Sequence, residues 1–341
     1  VTKTPITSSA FAALPTRHQL RRVEQLARQA LPLFGVPTDS AIKLLNYSEN
    51  ATYLITPPIG PRRVLRINRP GYHPRSHIAS ELAWVHALKR DTAIVTAEPL
   101  AGLDGEFVQH VWHPAVPEPR HCVLMTFVEG TEPDDANRLA SFELLGEVTA
   151  QLHLHAASWT PPRPILRERW DFDAMLGDRP LWGDWAKGLG MTPAKKRHLA
   201  RLLPVLRRRV DAVGYSRARF GLVHADLRAA NLLVHQDRVA VIDFDDCGHS
   251  WFIYDLAAAL SFIETHPDVP AYIDAWLGGY TQKRRLSKVE LAEIPTFIML
   301  RRMLLVAWIG SHADTAQAQA MGPRFTDDTC NLADDYLGHF N

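Results

Sequence analysis

The stretch Gly221–Asp246, GLVHADLRAANLLVHQDRVAVIDFDD, constrains this chain more than any other. It sets His224, Asp226, Asn231 and Asp243 among apolar runs. Leu232-Leu233-Val234 and Val239-Ala240-Val241-Ile242 have the short apolar or alternating character of strands, with Gln236-Asp237 between them as a turn. The expected hairpin is opened by Asn231 and closed by Asp243, and the loop carrying Asp226 leads into it. Three oxygen-bearing side chains then converge at one end of a small rigid sheet.

An amide and a carboxylate that offer only oxygen suit a hard cation such as Mg²⁺, which keeps positions open for water and phosphate. A further carboxylate that does not bind the metal can accept a proton from a hydroxyl. Phosphoryl transfer needs this combination, a metal for the phosphates and a positioned base for the nucleophile. Taken singly, the same residues read as turn and cap residues and the end of a strand. Their order and spacing favour the chemical reading.

Protein kinases carry H-R-D-x-x-x-x-N followed by D-F-G. Here the match is His224-Ala225-Asp226, then Asn231, then Asp243-Phe244-Asp245. With a small residue between His and Asp and an I-D-F ending, the chain resembles the aminoglycoside phosphotransferase, choline kinase and type II homoserine kinase superfamily. The resemblance runs from about Ala41 to Leu260. It implies an α+β, protein-kinase-like fold of two lobes. The N-lobe, residues 1–127, is a small antiparallel sheet with a helix and covers the nucleotide. The C-lobe, residues 128–341, is mainly helical and carries the catalytic loop, with 158–215 as a helical insert or lid over the acceptor.

The resemblance also implies ATP between the lobes and Mg²⁺ on Asn231 and Asp243. Asp226 becomes the base, His224 supports its loop, and Asp255 braces that loop through backbone N–H groups. Arg228 stands two positions after Asp226, where protein kinases often have a lysine, and either neutralises charge during transfer or is a plain surface arginine.

Upstream, residues 1 to about 18 read as a loose arm, and Arg17–Leu33 as one amphipathic helix ended by Pro32 and Pro37. Ala41–Leu45 and Ala51–Ile55 are strands around the polar loop Asn46–Asn50. The loop lacks glycine, but Ser48, Asn50 and backbone N–H groups in a tight turn can hold phosphate oxygens. On the strand Arg63–Asn68 the phosphate cation is Arg66, where the kinase pattern has lysine, and a guanidinium can grip phosphate as a bidentate fork. Residues 76–90 form a helix with Ser76 as its cap, and Glu81 pairs with Arg66. The apolar strand His121–Val128 runs into Glu129-Gly130 and looks like the hinge between lobes, and the resemblance implies that backbone groups near Thr126 to Val128 meet the adenine.

In the C-terminal part, Asn137–Ala157 is helical, and His153 and His155, two apart, serve packing or capping rather than zinc. Residues 158–190, with Trp159, Trp170, Trp182 and Trp185 among aspartates, are an insert held down by tryptophan burial or a cup for a cationic substrate. Residues 192–213 form one basic helix, a solvated face rather than a nucleic-acid site. The segment Cys247–Tyr254 is loop, Leu256–Glu264 is helix, and 271–282, 288–310 and 326–340 complete the helical lobe.

Lys+Arg 38 against Asp+Glu 37 leaves a net charge of +1, which points to neither nucleic acid nor an anionic membrane as partner. No apolar run has the length of a membrane span, and the N-terminus lacks a signal-peptide core, so a cytoplasmic setting is the expectation. The expected partner is a small-molecule hydroxyl substrate: an amino alcohol, a homoserine-like amino acid or an aminoglycoside-type antibiotic. The alternatives are a bacterial Ser/Thr protein kinase of the same fold and a non-catalytic nucleotide-binding scaffold. Oligomeric state is not legible in the sequence.

Overall fold

A computed structural model describes residues 6–47, 50–133, 137–235 and 238–340. The chain divides into two compact units, Val1–Glu129 with Pro161–Leu166, and Gly130–Thr160 with Arg167–Asn341.

The first unit opens with α1 (Ser8–Ala12), capped by the Thr7 hydroxyl and anchored by buried Phe11. The expected loose arm is therefore partly ordered, because Phe11 joins the apolar cluster beneath it. Helix α2 (Thr16–Ala30) buries Val23, Leu26, Ala27 and Ala30, and a 3₁₀ turn at Leu31–Phe34 replaces its expected last turn, Pro32 being unable to continue the α-helix. Strands β1 (Ala41–Tyr47), β2 (Ala51–Thr56) and β3 (Arg63–Ile67) follow, then α3 (Arg75–Asp91). After the two-residue strands β4 (Val95–Thr96) and β5 (Pro99–Leu100) come β6 (Val108–Val111) and β7 (Arg120–Thr126).

Among the described residues, β1-β2-β3-β7-β5 form one antiparallel sheet, with β6 also on β7. Alternation along β3 decides what each face holds. Leu65 and Ile67 join the α2 residues in one core, while Ile78 and Leu82 of α3 pack with Val108 and Val123 in another. Arg66, between Leu65 and Ile67, takes the α3 side. Ser76 is not the cap of α3: Pro74 is, and Ser76 lies inside the helix with its carbonyl accepting from the Ser80 hydroxyl. Proline favours the extended backbone just before a helix, so the start falls two residues earlier than a serine cap predicts.

The second unit is mainly helical: α4 (Arg138–Ser158), α5 (Phe172–Leu176), α6 (Pro193–Ala200) and α7 (Leu202–Val213) precede the sheet elements. The expected single basic helix is two, joined at Arg201, with Thr192 capping the first. Strand β8 (Phe220–Val223) leads to the hairpin β9 (Leu232–His235) and β10 (Arg238–Val241), paired Leu232 to Val241 and His235 to Arg238. The expected turn residues Gln236 and Asp237 lie outside the described residues.

The segment read as loop contains strand β11 (Gly248–Trp251), which pairs antiparallel with β8. Helix α8 (Tyr254–Ala259) is shorter than expected and is followed by Phe262 at φ 71°. Then come α9 (Val269–Thr281), α10 (Lys288–Ala292), α11 (Ile294–Ser311) and α12 (Ala316–Phe340). The expected helix 288–310 is divided after Ala292, and Gly322, at φ 56° and ψ −163°, breaks α12. Helices α4 and α9 approach at glycine: a Cβ on Gly279 would stand 1.8 Å from the Glu143 carbonyl oxygen.

By length and composition alone α11 is apolar enough to cross a membrane, an exception to the sequence expectation. It carries Arg301 and Arg302 in its middle and is buried over most of its length. That is the signature of a core helix with polar partners.

Candidate active site

In the first unit, Arg66 and Glu81 form the expected pair. Nη1 and Nη2 of Arg66 donate to the two carboxylate oxygens of Glu81 at 2.8 and 2.7 Å, and both side chains are buried. The Nη1/Nη2 edge of the guanidinium is turned to Glu81, which holds the group and its positive charge in place.

Asn50 is buried and its amide oxygen accepts the Arg69 N–H at 3.1 Å, so this side chain closes the loop on the sheet. Ser48 lies outside the described residues. At the end of β7, the Thr126 N–H donates to the Glu98 carbonyl at 2.9 Å, and its hydroxyl accepts the Glu98 N–H at 2.9 Å. Thr126 is thus committed to the fold through both groups, while Val128 lies beyond the strand, partly exposed.

In the second unit the catalytic-loop motif is gathered by short local contacts. Asn231 ends a 3₁₀ turn, Ala229–Asn231, and its Nδ2 donates to the Asp226 carbonyl at 2.7 Å and to Asp226 Oδ2 at 3.1 Å. The Ile242 N–H donates to the Asn231 carbonyl at 3.0 Å, which brings Asp243 beside Asn231. Asp243 has φ 64°, a left-handed backbone that few residues other than glycine and asparagine adopt without cost. Because the Asn231 amide nitrogen faces Asp226, its Oδ1 is the atom that faces elsewhere. Asn231 and Asp243 therefore present an oxygen-only donor set, which fits a hard divalent cation. Arg228 Nε lies 3.3 Å from Asp226 Oδ2.

The loop is held from beneath by Asp255, fully buried at the start of α8. Its Oδ2 accepts the His224 N–H at 3.1 Å and its Oδ1 the Ala225 N–H at 2.8 Å. His153 Nε2 reaches Asp255 Oδ2 at 3.0 Å, and His153 Nδ1 lies 2.9 Å from the Tyr280 hydroxyl. Burial alone would raise the Asp255 pKa, but the His153 contact, the His224 ring and the Ala225 N–H together hold it below the usual carboxylate value. His153 is thus a packing and bracing residue, as its place away from a second ligand predicts. His224 is buried with Nε2 3.2 Å from the Ile242 carbonyl and Nδ1 accepting the Asp226 N–H at 3.3 Å. Those partners fix the Nε2–H tautomer.

Burial pushes both the His153 and His224 pKa values down. Burial therefore favours the neutral form of each ring in the folded protein, and the unfolded chain takes up protons there more readily. Their contribution is full above the ordinary histidine pKa of about 6.5 and is lost as pH falls below it, by at most about 1.4 kcal/mol per pH unit per ring. Asp255 adds to the loss only near and below the ordinary carboxylate range, about pH 4. Denaturation midpoints should therefore hold level from pH 8 to about pH 7 and fall from there to pH 5; a profile that stays flat to pH 5 would mean that the rings take up protons as readily in the folded state as in the unfolded one.

Two residues at the site, Arg301 and Arg167, carry no signal in the sequence reading, and a third, Trp170, is singled out there only as part of the tryptophan-rich insert. Arg301 on α11 donates to Asp226 Oδ1 at 2.7 Å. Arg167 is buried and donates to the Asp245 and Cys247 carbonyls, gripping the turn behind Asp243. Trp170 Nε1 donates to the Asp246 carbonyl at 2.8 Å. A pair of arginines inside the apolar run 294–309 was the available clue to the first. Trp170, Trp182 and Trp185 are buried, so the insert follows the packing reading rather than that of an open aromatic cup.

Residues 42–289 match the phosphotransferase enzyme family, APH. The chain belongs to this family. It is 38% identical to a microcompartment-associated aminopropanol kinase of known structure, over 93% of this chain and 98% of that one, with a TM-score of 0.85. It is 25% identical to the amicoumacin kinase of Bacillus subtilis (strain 168), over 83% of each. The structure of an amicoumacin kinase, hAmiN, in complex with AMP-PNP, Ca²⁺ and Ami shares the fold, at TM-score 0.76 and 23% identity over 92% of this chain and 96% of that one. The kinase-like fold expected from the motif is thus the fold of the relatives. This phosphotransferase is an ATP-dependent enzyme with an alcohol group of a small molecule as acceptor.

Proposed function

We propose that the enzyme phosphorylates the hydroxyl of a small amino alcohol, with Asp226 as the base. The observation that carries the acceptor class is the 38% identity to an aminopropanol kinase across nearly the whole of both chains. The observation that carries the residue roles is the contact of Asp226 with Asn231, which is itself tied to Ile242 beside Asp243.

Asn231 and Asp243 would hold Mg²⁺, which would supply neutralisation of the phosphate charge there. Asp226 orients the acceptor hydroxyl and takes its proton late in transfer. Arg228 offsets charge as it develops near the transferred phosphoryl. Arg66, kept in place by Glu81, adds positive field for the α- and β-phosphates. Backbone groups near Thr126 to Val128 serve the adenine, the Thr126 N–H being already taken by the Glu98 carbonyl. In the loop before β2 it is backbone N–H groups that serve the phosphates, since the Asn50 side chain is engaged.

A second reading, an antibiotic hydroxyl as acceptor, is favoured by the amicoumacin kinase match. A coupled ADP-release screen with Mg²⁺-ATP across amino alcohols, amino acids, sugars and aminated antibiotics separates the two. Three- and four-carbon amino alcohols should give the highest kcat/KM. Turnover with antibiotics alone would replace the first reading by the second. Silence in all classes, with ATP still bound, would overturn both.

A further inference from the structure

We infer that Arg301 is the positioning residue for the base: it fixes the Asp226 carboxylate so that Oδ2 is the oxygen presented to the acceptor hydroxyl. This rests on the assignment of Asp226 as base.

Arg301 lies in the middle of α11 with its side chain only 2% exposed, against 17% for Asp226. Its planar fork is anchored at three corners. Nε donates to Ser261 Oγ at 2.9 Å; Nη1 donates to the Tyr254 hydroxyl at 2.9 Å and the Ala225 carbonyl at 3.2 Å; Nη2 donates to Asp226 Oδ1 at 2.7 Å. The Trp182 ring lies 5.0 Å from the guanidinium carbon. A rigid planar group with its other two corners fixed on α8 and just past it delivers the third N–H pair in one direction only.

The two oxygens of Asp226 are thereby made unequal. Oδ1 carries the short, charge-assisted bond to Arg301. Oδ2 carries the longer contacts, 3.1 Å to Asn231 Nδ2 and 3.3 Å to Arg228 Nε. Oδ2 is the oxygen that receives the proton. In the step it serves, the acceptor O–H bond breaks and its oxygen bonds to the γ-phosphorus. The bond from that phosphorus to the bridging oxygen breaks, its electron pair leaves with ADP, and the proton passes to Oδ2.

Arg301 also holds the residue before the base. Ala225 has φ 67°, an uncommon conformation for a residue with a Cβ. Its N–H is taken by Asp255 and its carbonyl by Arg301, so the strained peptide that aims Asp226 is clamped at both ends.

Core stability does not account for a buried arginine here, since well-packed apolar side chains commonly do as well as a buried ion pair. The next residue supplies the comparison. Arg302 is equally buried and is also paired with a carboxylate, Glu264, with Thr329 Oγ and the Phe325 carbonyl as its other acceptors. None of these three partners belongs to the catalytic loop.

The test compares Arg301→Lys with Arg302→Lys in the full chain, using ADP-release kinetics with the best acceptor, ADP binding and denaturation midpoints. Both variants should be less stable. Only Arg301→Lys should lose kcat, by about 10²-fold as for a misplaced catalytic group, with KM for ATP changed by less than about twofold. Combined with Asp226→Asn it should add almost nothing to the loss from Asp226→Asn alone. Equal losses of kcat in the two lysine variants, or a near-normal kcat in Arg301→Lys beside an inactive Asp226→Asn, would overturn the role of Arg301 and leave the base intact. An active Asp226→Asn would overturn the base assignment itself. Should Arg301→Lys fail to fold, Ser261→Ala removes only the Nε anchor and should lower kcat severalfold at unchanged ADP affinity. An unchanged kcat there would also refute the role.

Discussion

Asp226→Ala is expected to lower kcat by about 10²- to 10⁴-fold, the range associated with a positioned general base, while ADP and ATP-analogue affinity stays within about twofold of the parent. The reasoning is local. The Asp226 side chain contacts Asn231, Arg228 and Arg301 through its two carboxylate oxygens, whereas the loop backbone is held separately by Asp255 and by the Asn231 contact to the Asp226 carbonyl. Removing the carboxylate leaves those backbone bonds in place. Coupled ADP release and calorimetric titration measure the two halves of the expectation. Turnover within tenfold of the parent would remove Asp226 from the proton-transfer step.

Glu81→Ala is expected to destabilise the protein by about 3–5 kcal/mol, the cost of taking one partner from a buried ion pair. Arg66 and Glu81 are 5% and 2% exposed at their side chains, so little solvent is at hand to replace the lost carboxylate. The urea midpoint reads this directly, and KM for ATP should rise in whatever protein remains folded, because Arg66 is no longer aimed. A loss under about 1 kcal/mol, the range of an exposed pair, would show that the guanidinium has swung out to water. Glu81→Gln, which keeps the shape and one acceptor oxygen, should be less harmful than Glu81→Ala.

Several features were legible because their causes are local or periodic. The hairpin after Asn231 follows from two apolar runs and its spacing. The strands around the N-terminal polar loop follow from alternation, and the pairing of Arg66 with Glu81 from motif order. The bracing role of Asp255 was legible only through the resemblance, and the Asp255 contacts to two loop N–H groups agree with it.

What escaped the sequence reading was of another kind. Strand β11 reads as loop because His249-Ser250-Trp251 has weak strand character alone; pairing with β8, some thirty residues earlier in the chain, makes it a strand. The basic helix 192–213 breaks at Arg201, just ahead of Pro204, which has no N–H to continue the helix, and α3 is preceded by Pro74 rather than capped by Ser76. Arg301 stands 75 positions from Asp226 in a helix whose composition says core, and no local pattern marks its partner.

The sequence by itself determined the order of the chemical groups, the periodicity of the main helices and strands, and so the family. Those depend on near neighbours along the chain. The tertiary structure alone decided how the groups are oriented: that the Nη1/Nη2 edge of Arg66 faces Glu81, that the Asn231 amide nitrogen faces Asp226, and that a buried arginine from a distant helix holds one carboxylate oxygen of Asp226. Orientation depends on which side chains packing brings within about 3 Å, the reach of a hydrogen bond, and spacing in the sequence does not encode that distance.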